Sequence, residues 1–593
     1  MSVLPFWLTE SDRLVWSLIF PLGVVILLSG LDDLFLDLHF LIRRLRRPRI
    51  RDTGAASNIP EKHIAIFVPL WQESAVITGM VEHNLSAIRY GNYEFFVGAY
   101  PNDDPTLDAV RELERRYPRV HLAVCPHDGP TSKADCLNWI YQRMLLYEER
   151  HGACFDVVVT HDAEDLIHPE ALRHINREAE AHGMIQIPVL PLPSPLSHWV
   201  HGVYCDEFAE WQLKDMPMRS EMGSFVPSNG VGTGYTREAL DRLATEDHNL
   251  VFEPGCLTED YENGLRLHRL GIPQTFVPLG GGAATREYFP QTLRAASRQR
   301  TRWITGIALQ TWERYGWRGG LAEVYWFWRD RKGLLGNPLG LLANLLFGYG
   351  LLSWAIAHFT GTRWGLPARV VWPPLLWITG ALQVERLAVR LGCTAHIYGV
   401  PFALGVPVRA FLANCINGVA SIRALWIYTR ARINGRPLVW LKTEHAYPTR
   451  NALAEHRRRL GEILVGSGYI GEDTLDRALL NQPPGVRLGE FLVARGEISE
   501  HDLYEALSLQ QSLPSGELVA DAVETPVTRL LPRRLVREWK VLPFQIASGS
   551  LFLASPEVPT DEMTRAVRRF TSLSLRFHLV TPANFESLVQ QLL

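Results

Sequence analysis

A chain of 593 residues with 47% hydrophobic and 21% charged residues has the make-up of a folded protein of several domains, which excludes wholesale disorder. Its 60 basic and 63 acidic residues leave a net charge of −3, which excludes a polycationic nucleic-acid binder. Seven cysteines, odd in number and without a CxxC pair, argue against a disulfide scaffold or a zinc ribbon, and 18 tryptophans, many beside apolar stretches, point to a membrane interface.

Residues 14–31 are apolar apart from Ser17 and Ser29, near the minimum length of a bilayer span. The leading flank carries Glu10 and Asp12 beside Arg13, unlike the basic start of a cleaved signal. The trailing flank carries Arg43, Arg44, Arg46, Arg47, Arg49 and Arg51, so the positive-inside rule puts that flank and the chain beyond it in the cytoplasm. Residues 1–51 therefore read as an uncleaved anchor with a basic juxtamembrane segment. Within 60–320, apolar β-rich runs at 64–70, 95–99, 157–160 and 184–190 alternate with helical stretches. That alternation predicts a soluble α/β domain of parallel strands joined by crossover helices. Residues 333–448 turn apolar again. A second span is expected at 339–357 and a shorter third at 370–384. Residues 397–428 contain Arg409, Asn414, Asn417 and Arg423 and read as a hairpin or as interfacial helices. Basic clusters at Arg329, Arg331 and Lys332 and at Arg430, Arg432, Arg436 and Lys442 then both lie on the cytoplasmic side.

The strand ends carry the chemistry. In open α/β sheets ligands bind beyond the carboxyl ends of strands. The first strand runs into Pro69-Leu70-Trp71-Gln72-Glu73 and the second into Asn102-Asp103-Asp104, where a carboxylate can accept from a base or ribose; a plain polar turn is the alternative. The next ends in His161-Asp162-Ala163-Glu164-Asp165. Asp162 and Glu164, two apart, can reach one hard cation such as Mg²⁺ or Mn²⁺ that also holds a diphosphate; the alternative is an acidic helix N-terminus. Further on come Thr258-Glu259-Asp260 and Gln299-Arg300-Thr301-Arg302-Trp303, alternatively a helix cap and a basic helix face with Arg294 and Arg298.

The order and spacing of these motifs resemble the processive family-2 glycosyltransferases, which have a GT-A fold. The family's opening Pro-x-x-x-Glu corresponds to Pro69 to Glu73, its aspartate to Asp103 or Asp104, and its metal-binding D-x-D to Asp162 and Glu164. Its [TE]-D base corresponds to Glu259-Asp260 and its Q-x-x-R-W to Gln299, Arg302 and Trp303; Lys133-Ala134 with Leu137-Asn138 looks like its Lys-Ala-x-x-Leu-Asn segment. The resemblance implies donor binding by Pro69, Gln72, Glu73, Asp103, Asp104, Lys133 and Asp162, a metal on Asp162 and Glu164, and catalysis by Glu259, Asp260, Gln299, Arg302 and Trp303. Glu164 departs from the family's second Asp, and Asp165 is expected to share its role. Lys133 is expected to meet phosphate or sugar, with a plain surface lysine as the alternative. Trp303 offers a flat face to the acceptor sugar.

From residue 453 the composition is again soluble, and the chain repeats itself. Residues 459–482 and 487–510 align without gaps and share 13 of 24 positions. Two copies are too few for a solenoid. Each opens Arg-Leu-Gly: an arginine can stack on a purine, and Gly461 and Gly489 are expected to let backbone approach a phosphate. Leu464, Leu475 and Leu479 read as helix-packing positions. The duplicated pattern resembles the MshEN domain, an α+β module that binds cyclic di-GMP, over 453–593. It implies ligand contacts from Arg459, Leu460, Gly461, Leu464, Gly468 and Gln482, and from Arg487, Leu488, Gly489, Leu492, Gly496 and Gln510. No G-x-x-x-x-G-K-[ST] loop is present, which excludes a P-loop ATPase.

The whole layout resembles the NfrB-type phage-adsorption protein B family. It implies a multidomain, multi-pass protein of the bacterial inner membrane with cytoplasmic catalytic and C-terminal domains. The implied activity is inverting transfer from a nucleotide sugar, a UDP-sugar by expectation, to a polysaccharide or lipid-linked acceptor, with cyclic di-GMP as activator. An outer-membrane partner protein is implied and no nucleic acid. The alternatives are a non-catalytic cyclic di-GMP-sensing receptor subunit and a non-processive transferase acting on a lipid carrier. The stretch from Trp440 to Pro448 looks like a family signature and is read as a gating loop or an interfacial linker.

Overall fold

Five successive residues of Ile-Ala-Ile-Phe-Val-Pro are fully buried, as a strand covered on both faces requires. They open β1 (Ile64–Pro69) in a computed structural model that describes residues 6–46, 59–246, 250–279, 283–361, 373–435, 438, 459–511, 513–520, 523–547 and 550–593. With it run β2 (Tyr93–Ala99), β3 (Val120–Val124), β4 (Val157–Thr160), β5 (Met184–Gln186), β6 (Val189–Pro191), β7 (Thr233–Thr236), β8 (Gln274–Phe276) and β9 (Thr285–Glu287). Seven of these form one sheet in the order β3-β2-β1-β4-β7-β5-β8, and β6 pairs with β9.

Two strand expectations are corrected. The sheet is mixed: β1–β4 and β5–β8 are parallel, but β7 is antiparallel to both β4 and β5. Gly230 (φ 79°) and Gly232 (φ 60°) supply the left-handed turn by which the chain enters β7. The expected strand at 184–190 is broken in two, because Pro188 cannot donate to a ladder and the chain changes sheet there.

The sheet is accompanied by α1 (Phe6–Arg46), α2 (Ile77–Ala87), α3 (Asp104–Arg116), α4 (Lys133–His151) and further helices along the chain. Helix α4 begins at Ser132, whose hydroxyl accepts the Asp135 N–H, and ends at Gly152 in the left-handed region (φ 63°). Capping therefore fixes where Lys133 stands.

Among the described residues, three helices are long and apolar enough to cross a membrane: Ser11–Leu45, Leu321–Thr360 and Val406–Ile433. The first two contain the spans expected at 14–31 and 339–357. The third differs. The Pro373–Tyr398 helix, over the expected third span, carries Glu385, Arg386 and Arg390 and packs on α1 and on the Trp199–Glu210 helix. The expected hairpin or interfacial segment is a short Val400–Ala403 turn followed by one unbroken helix. Its polar residues have partners there. Arg409 Nε and Nη2 donate to Asp206 at 2.7 and 2.8 Å, Asn417 donates to Glu207 at 3.0 Å and Asn414 to Asn344 at 3.1 Å. Partnered polar groups can lie in an apolar helix; isolated ones cannot. The basic flank at Arg329 and Lys332 is likewise engaged, by Asp32 and Asp33 of α1 at 2.7–3.1 Å.

The chain divides into two compact units: Met1–Val76, Glu94–Asp108 and Leu122–Tyr447 in one, and Ile77–Tyr93, Ala109–His121 and Pro448–Leu593 in the other. The second unit thus takes α2 and the later part of α3 together with the C-terminal residues. It contains the paired helices Leu460–Gly466 with Glu472–Asn481 and Leu488–Ala494 with Glu500–Gln511. It also contains β10 (Leu542–Ala547), β11 (Ser550–Ser555) and β12 (Ser574–Leu579), with β11 antiparallel to β10 and parallel to β12. Leu542, Leu551, Val567 and Leu588 belong to a core of its own, as an α+β module needs.

Candidate functional site

A cleft of about 390 Å³ lies at the carboxyl ends of the parallel strands β1 and β4. Pro69, Glu73, Lys133, Asp162, Glu164, Glu259, Asp260, Gln299, Arg302 and Trp303 all line it, although they span more than two hundred positions of sequence. Gln72, Asp103 and Asp104 do not line it. Gln72 is held at φ 56°, a strained conformation for a non-glycine residue, and its N–H donates to Asp103 Oδ2 at 2.6 Å. The Asp103 carboxylate is therefore turned to the turn beside the cleft, while Asp104 is exposed at the start of α3. The Glu73 N–H donates to Thr106 Oγ1 at 3.1 Å, which ties the same turn to α3.

The base of the cleft is strongly charged. Lys133 Nζ stands 2.6 Å from Asp162 Oδ1 and donates to the Gly230 carbonyl at 3.2 Å, so it is no plain surface lysine. Burial opposes its charge, but Asp162, Glu259 and Asp260 outweigh burial and raise its pKa. A Cβ at Gly230 would meet Asp260 Oδ2 at 2.6 Å, so only glycine lets that turn close over the carboxylate. Burial, followed by repulsion from Asp260, pushes Glu259 up to about 7. Burial also raises Asp260, against the pull of Lys133 and Arg302.

Asp165 is a correction. Its carboxylate faces inward, fully buried, pairing with His161 Nδ1 at 2.8 Å and accepting the Asp162 N–H at 3.0 Å. It braces the turn that carries Asp162 and Glu164 and does not line the cleft. Among the described residues, no three or more His, Cys, Asp or Glu side chains are gathered for a metal. Asp162 and Glu164 fit a hard divalent cation of the Mg²⁺ or Mn²⁺ kind, which takes one or two carboxylates and fills its other positions with phosphate and water.

The Leu293–Ile304 helix starts at Thr292, whose hydroxyl accepts the Ala295 N–H, and presents Gln299, Arg302 and Trp303 to the cleft. Gln299 Oε1 and Arg302 Nε are buried with no hydrogen-bond partner among the described residues. Trp303 lies 6.1–6.4 Å from the rings of Tyr204, Phe208 and Phe289, forming an apolar wall. Arg300, part of the expected basic face, instead points inward over Tyr204 and bonds Asn417 at 2.5 Å. The helix continues into a π-helical turn, Thr305–Gln310. There a Cβ at Gly306 would run into Thr258 Oγ1, and Gln310 accepts the Leu257 N–H at 3.0 Å. This turn seats the Glu259-Asp260 pair against the arginine helix. Sequence reasoning missed Gly230, Gly306, Gln310 and the cleft-lining Glu287. The wide π turn could not be read from spacing, while the run Ser228-Asn229-Gly230 was a turn signal that could have been followed.

In the second unit Arg459 and Arg487 stand exposed at the N-caps of equivalent helices, and Leu464 and Leu492 are fully buried below them. The packing is reciprocal: a Cβ at Gly461 would meet Leu488 and one at Gly489 would meet Leu460, each at 3.2 Å. The two Arg-Leu-Gly turns are therefore related by a local two-fold arrangement. Two expectations change. The open sides of Gly461 and Gly489 are filled by Leu475 and Leu503, each within 2.6 Å of where a Cβ would stand, so these glycines serve helix packing. Leu479 is 53% exposed, which leaves it on the outer face of its helix. Gly468 (φ 85°) and Gly496 (φ 70°) close the helices in the left-handed region. Gln482 and Gln510 are half-buried, Gln482 donating to the Val486 carbonyl at 2.5 Å.

This fold and cleft define a glycosyltransferase that carries helices long and apolar enough to cross a membrane: residues 60–306 match the family described as "Glycosyltransferase like family 2", and residues 512–593 match the "MshEN domain". The chain is 34% identical over 600 residues to Bacteriophage adsorption protein B of Escherichia coli (strain K12), covering 94% of this chain and 79% of the relative. Bacteriophage N4 adsorption protein B of Escherichia coli O157:H7 matches to the same extent. The chain belongs to the bacteriophage adsorption protein B family. Among solved structures, the mannosyltransferase PcManGT from Pyrobaculum calidifontis in complex with GDP-Man and Mn²⁺ covers 68% of this chain and 99% of its own at 17% identity and TM-score 0.41. The structure of MshE with cdg covers 23% of this chain and 100% of its own at 26% identity and TM-score 0.21. The expected signature from Trp440 to Pro448 lies outside the described residues.

Proposed function

We propose that the protein is an inverting transferase of the cytoplasmic membrane that moves a sugar from a nucleoside diphosphate onto a growing polysaccharide and is switched by cyclic di-GMP. The observation that carries the catalytic half is the meeting of Glu259-Asp260, Lys133-Asp162 and Arg302-Trp303 around one cleft. Asp260 takes the proton from the acceptor hydroxyl, whose oxygen forms the new bond to the anomeric carbon from the face opposite the diphosphate. The bond from that carbon to the diphosphate oxygen breaks, and one displacement inverts the centre. Lys133 and Arg302 stabilise the charge on the departing diphosphate. A divalent cation on Asp162 and Glu164 supplies further charge neutralisation when bound. Trp303, with Phe208 and Phe289, holds the acceptor sugar.

The switch rests on the duplicated Arg-Leu-Gly turns, whose reciprocal packing suits a two-fold ligand and whose arginines are exposed to stack on its guanines. Membranes carrying the wild-type protein, given a panel of UDP-sugars, are expected to release UDP faster with cyclic di-GMP than without. A protein that binds cyclic di-GMP but releases no UDP from any sugar would be a sensing subunit and not a transferase.

A further inference from the structure

The second unit contains a polar contact that neither the sequence motifs nor the cleft explains. Arg116, the last residue of α3, donates through Nη1 to Glu82 of α2 at 2.9 Å and through Nε to Glu505 of the second repeat at 3.0 Å, with Nη2 also on Glu505. The Tyr117 hydroxyl lies 3.2 Å from Glu82 Oε1 and 3.3 Å from Glu505 Oε2. Glu505 is 4% exposed and Tyr117 is fully buried. The first repeat joins in: Tyr469 donates to the Arg116 carbonyl at 3.2 Å, and the Tyr93 hydroxyl donates to the Gly466 carbonyl at 3.1 Å. One arginine thus serves one buried carboxylate, Glu505, and one half-buried one, Glu82, and both repeats grip the same end of α3.

The duplication shows that this contact is specific. Glu505 has Arg477 as its counterpart in the first repeat, and Tyr469 has Glu497 in the second, so neither gripping residue is among the shared positions. Arg477 and Glu497 are both exposed. The positions shared between repeats serve the common packing and the expected ligand; these diverged ones serve a single asymmetric contact.

What Arg116 ends is what the cleft begins. Helix α3 runs without a break from Asp104 to Arg116, a length of about 18 Å at 1.5 Å per residue. Its first turn holds the Pro69–Glu73 turn through Thr106 to Glu73 and, just before it, through Asp103 to the strained Gln72. Helix α2 comes directly after the same turn, Val76 donating to the Glu73 carbonyl at 3.0 Å, and it packs on the Leu460–Gly466 and Glu500–Gln511 helices. Both helices therefore start at the donor-side turn and are held by the repeats further along.

We propose that the Glu505–Arg116 pair, with Tyr469, couples the repeats to the donor-side turn, so that α2 and α3 carry the state of one ligand site to the other. This rests on the reading of the repeats as the cyclic di-GMP site. Coupling between two sites is reciprocal: UDP must change the affinity for cyclic di-GMP by the same factor as cyclic di-GMP changes the affinity for UDP. Titration calorimetry on the full-length protein, with cyclic di-GMP added in the absence and presence of saturating UDP, reads that factor. It is expected to lie in the range of about 5- to 150-fold for the wild type. In Glu505→Gln, and separately in the near-isosteric Tyr469→Phe, it is expected to fall at least threefold while cyclic di-GMP still binds. A coupling factor unchanged in both folded variants overturns the relay and leaves the sensor reading intact. Absence of cyclic di-GMP binding to the wild type overturns the sensor reading and the relay with it.

Discussion

At the scale of single residues, the cleft depends on where protons sit. In the proposed role Asp260 accepts a proton only when ionised, and its replacement by asparagine keeps the shape while removing the proton acceptor. Asp260→Asn is expected to lower transfer by on the order of 10²-fold or more while UDP still binds. UDP release at equal membrane protein checks the first and calorimetry the second; wild-type turnover would remove Asp260 from the base role. The neighbouring Glu259 is raised to about 7 by burial first and repulsion from Asp260 second. A raised carboxyl takes up its proton as pH falls through neutrality, so kcat/KM is expected to fall on the acid side of about pH 7 and to level off above it. The repulsion is mutual, so Glu259→Gln should move that acid limb to lower pH. A limb unmoved in the variant would assign it to another group. Asp162→Ala should abolish the metal dependence of UDP binding, because the diphosphate charge then loses one carboxylate-held cation site. Equal UDP binding by the wild type in excess EDTA would refute the metal assignment.

Between elements, glycines decide how closely backbones pass. The π-helical turn at Thr305–Gln310 lies on Thr258 only because Gly306 has no Cβ. In the repeats, Gly489 accepts Leu503 in the same way, closer than any Cβ would allow. Gly489→Ala is expected to destabilise the C-terminal unit by roughly 1–3 kcal/mol through overpacking, seen as a lower unfolding midpoint. If its stability is unchanged and only cyclic di-GMP binding is lost, the glycine serves the ligand after all. The strand motifs were legible because a turn beyond a strand end exposes its side chains whatever the rest of the fold does. Reversal of β7 was not legible, since a short strand of Thr-Gly-Tyr-Thr carries no mark of direction.

For the molecule as a whole, the long apolar Val406–Ile433 helix carries polar groups that are paired with other elements. Arg409 and Asp206 bury one another, with 3% and 4% of their side chains exposed. Removing one partner leaves the other charged and buried, so Asp206→Ala is expected to cost about 3–5 kcal/mol, read as a loss of folded protein in detergent on heating. If Asp206→Ala melts with the wild type, Arg409 has another partner. The proposed C-terminal switch belongs to this scale as well. Arg459→Ala and Arg487→Ala are each expected to weaken cyclic di-GMP binding by roughly 1–2 kcal/mol or more. Full-length protein is the proper sample, because Glu505 and Tyr469 meet α2 and α3 partners that a C-terminal fragment lacks.

The amino-acid sequence by itself determined the chemistry: carboxylates at strand ends, the Gln299-to-Trp303 helix, the paired Arg-Leu-Gly turns and the first two apolar spans. These are local signals, set by residue type and short spacing. Only the tertiary structure decided that Asp165 braces a turn and does not line the cleft, that residues 406–433 form one helix, and that Arg116 joins the repeats. Each of those outcomes depends on a side chain brought into contact by folding: His161 for Asp165, Asp206 and Glu207 for the helix, Glu505 for Arg116. A buried polar group becomes tolerable only when such a partner is brought to it, and the spacing of residues along a chain does not say which partner that will be.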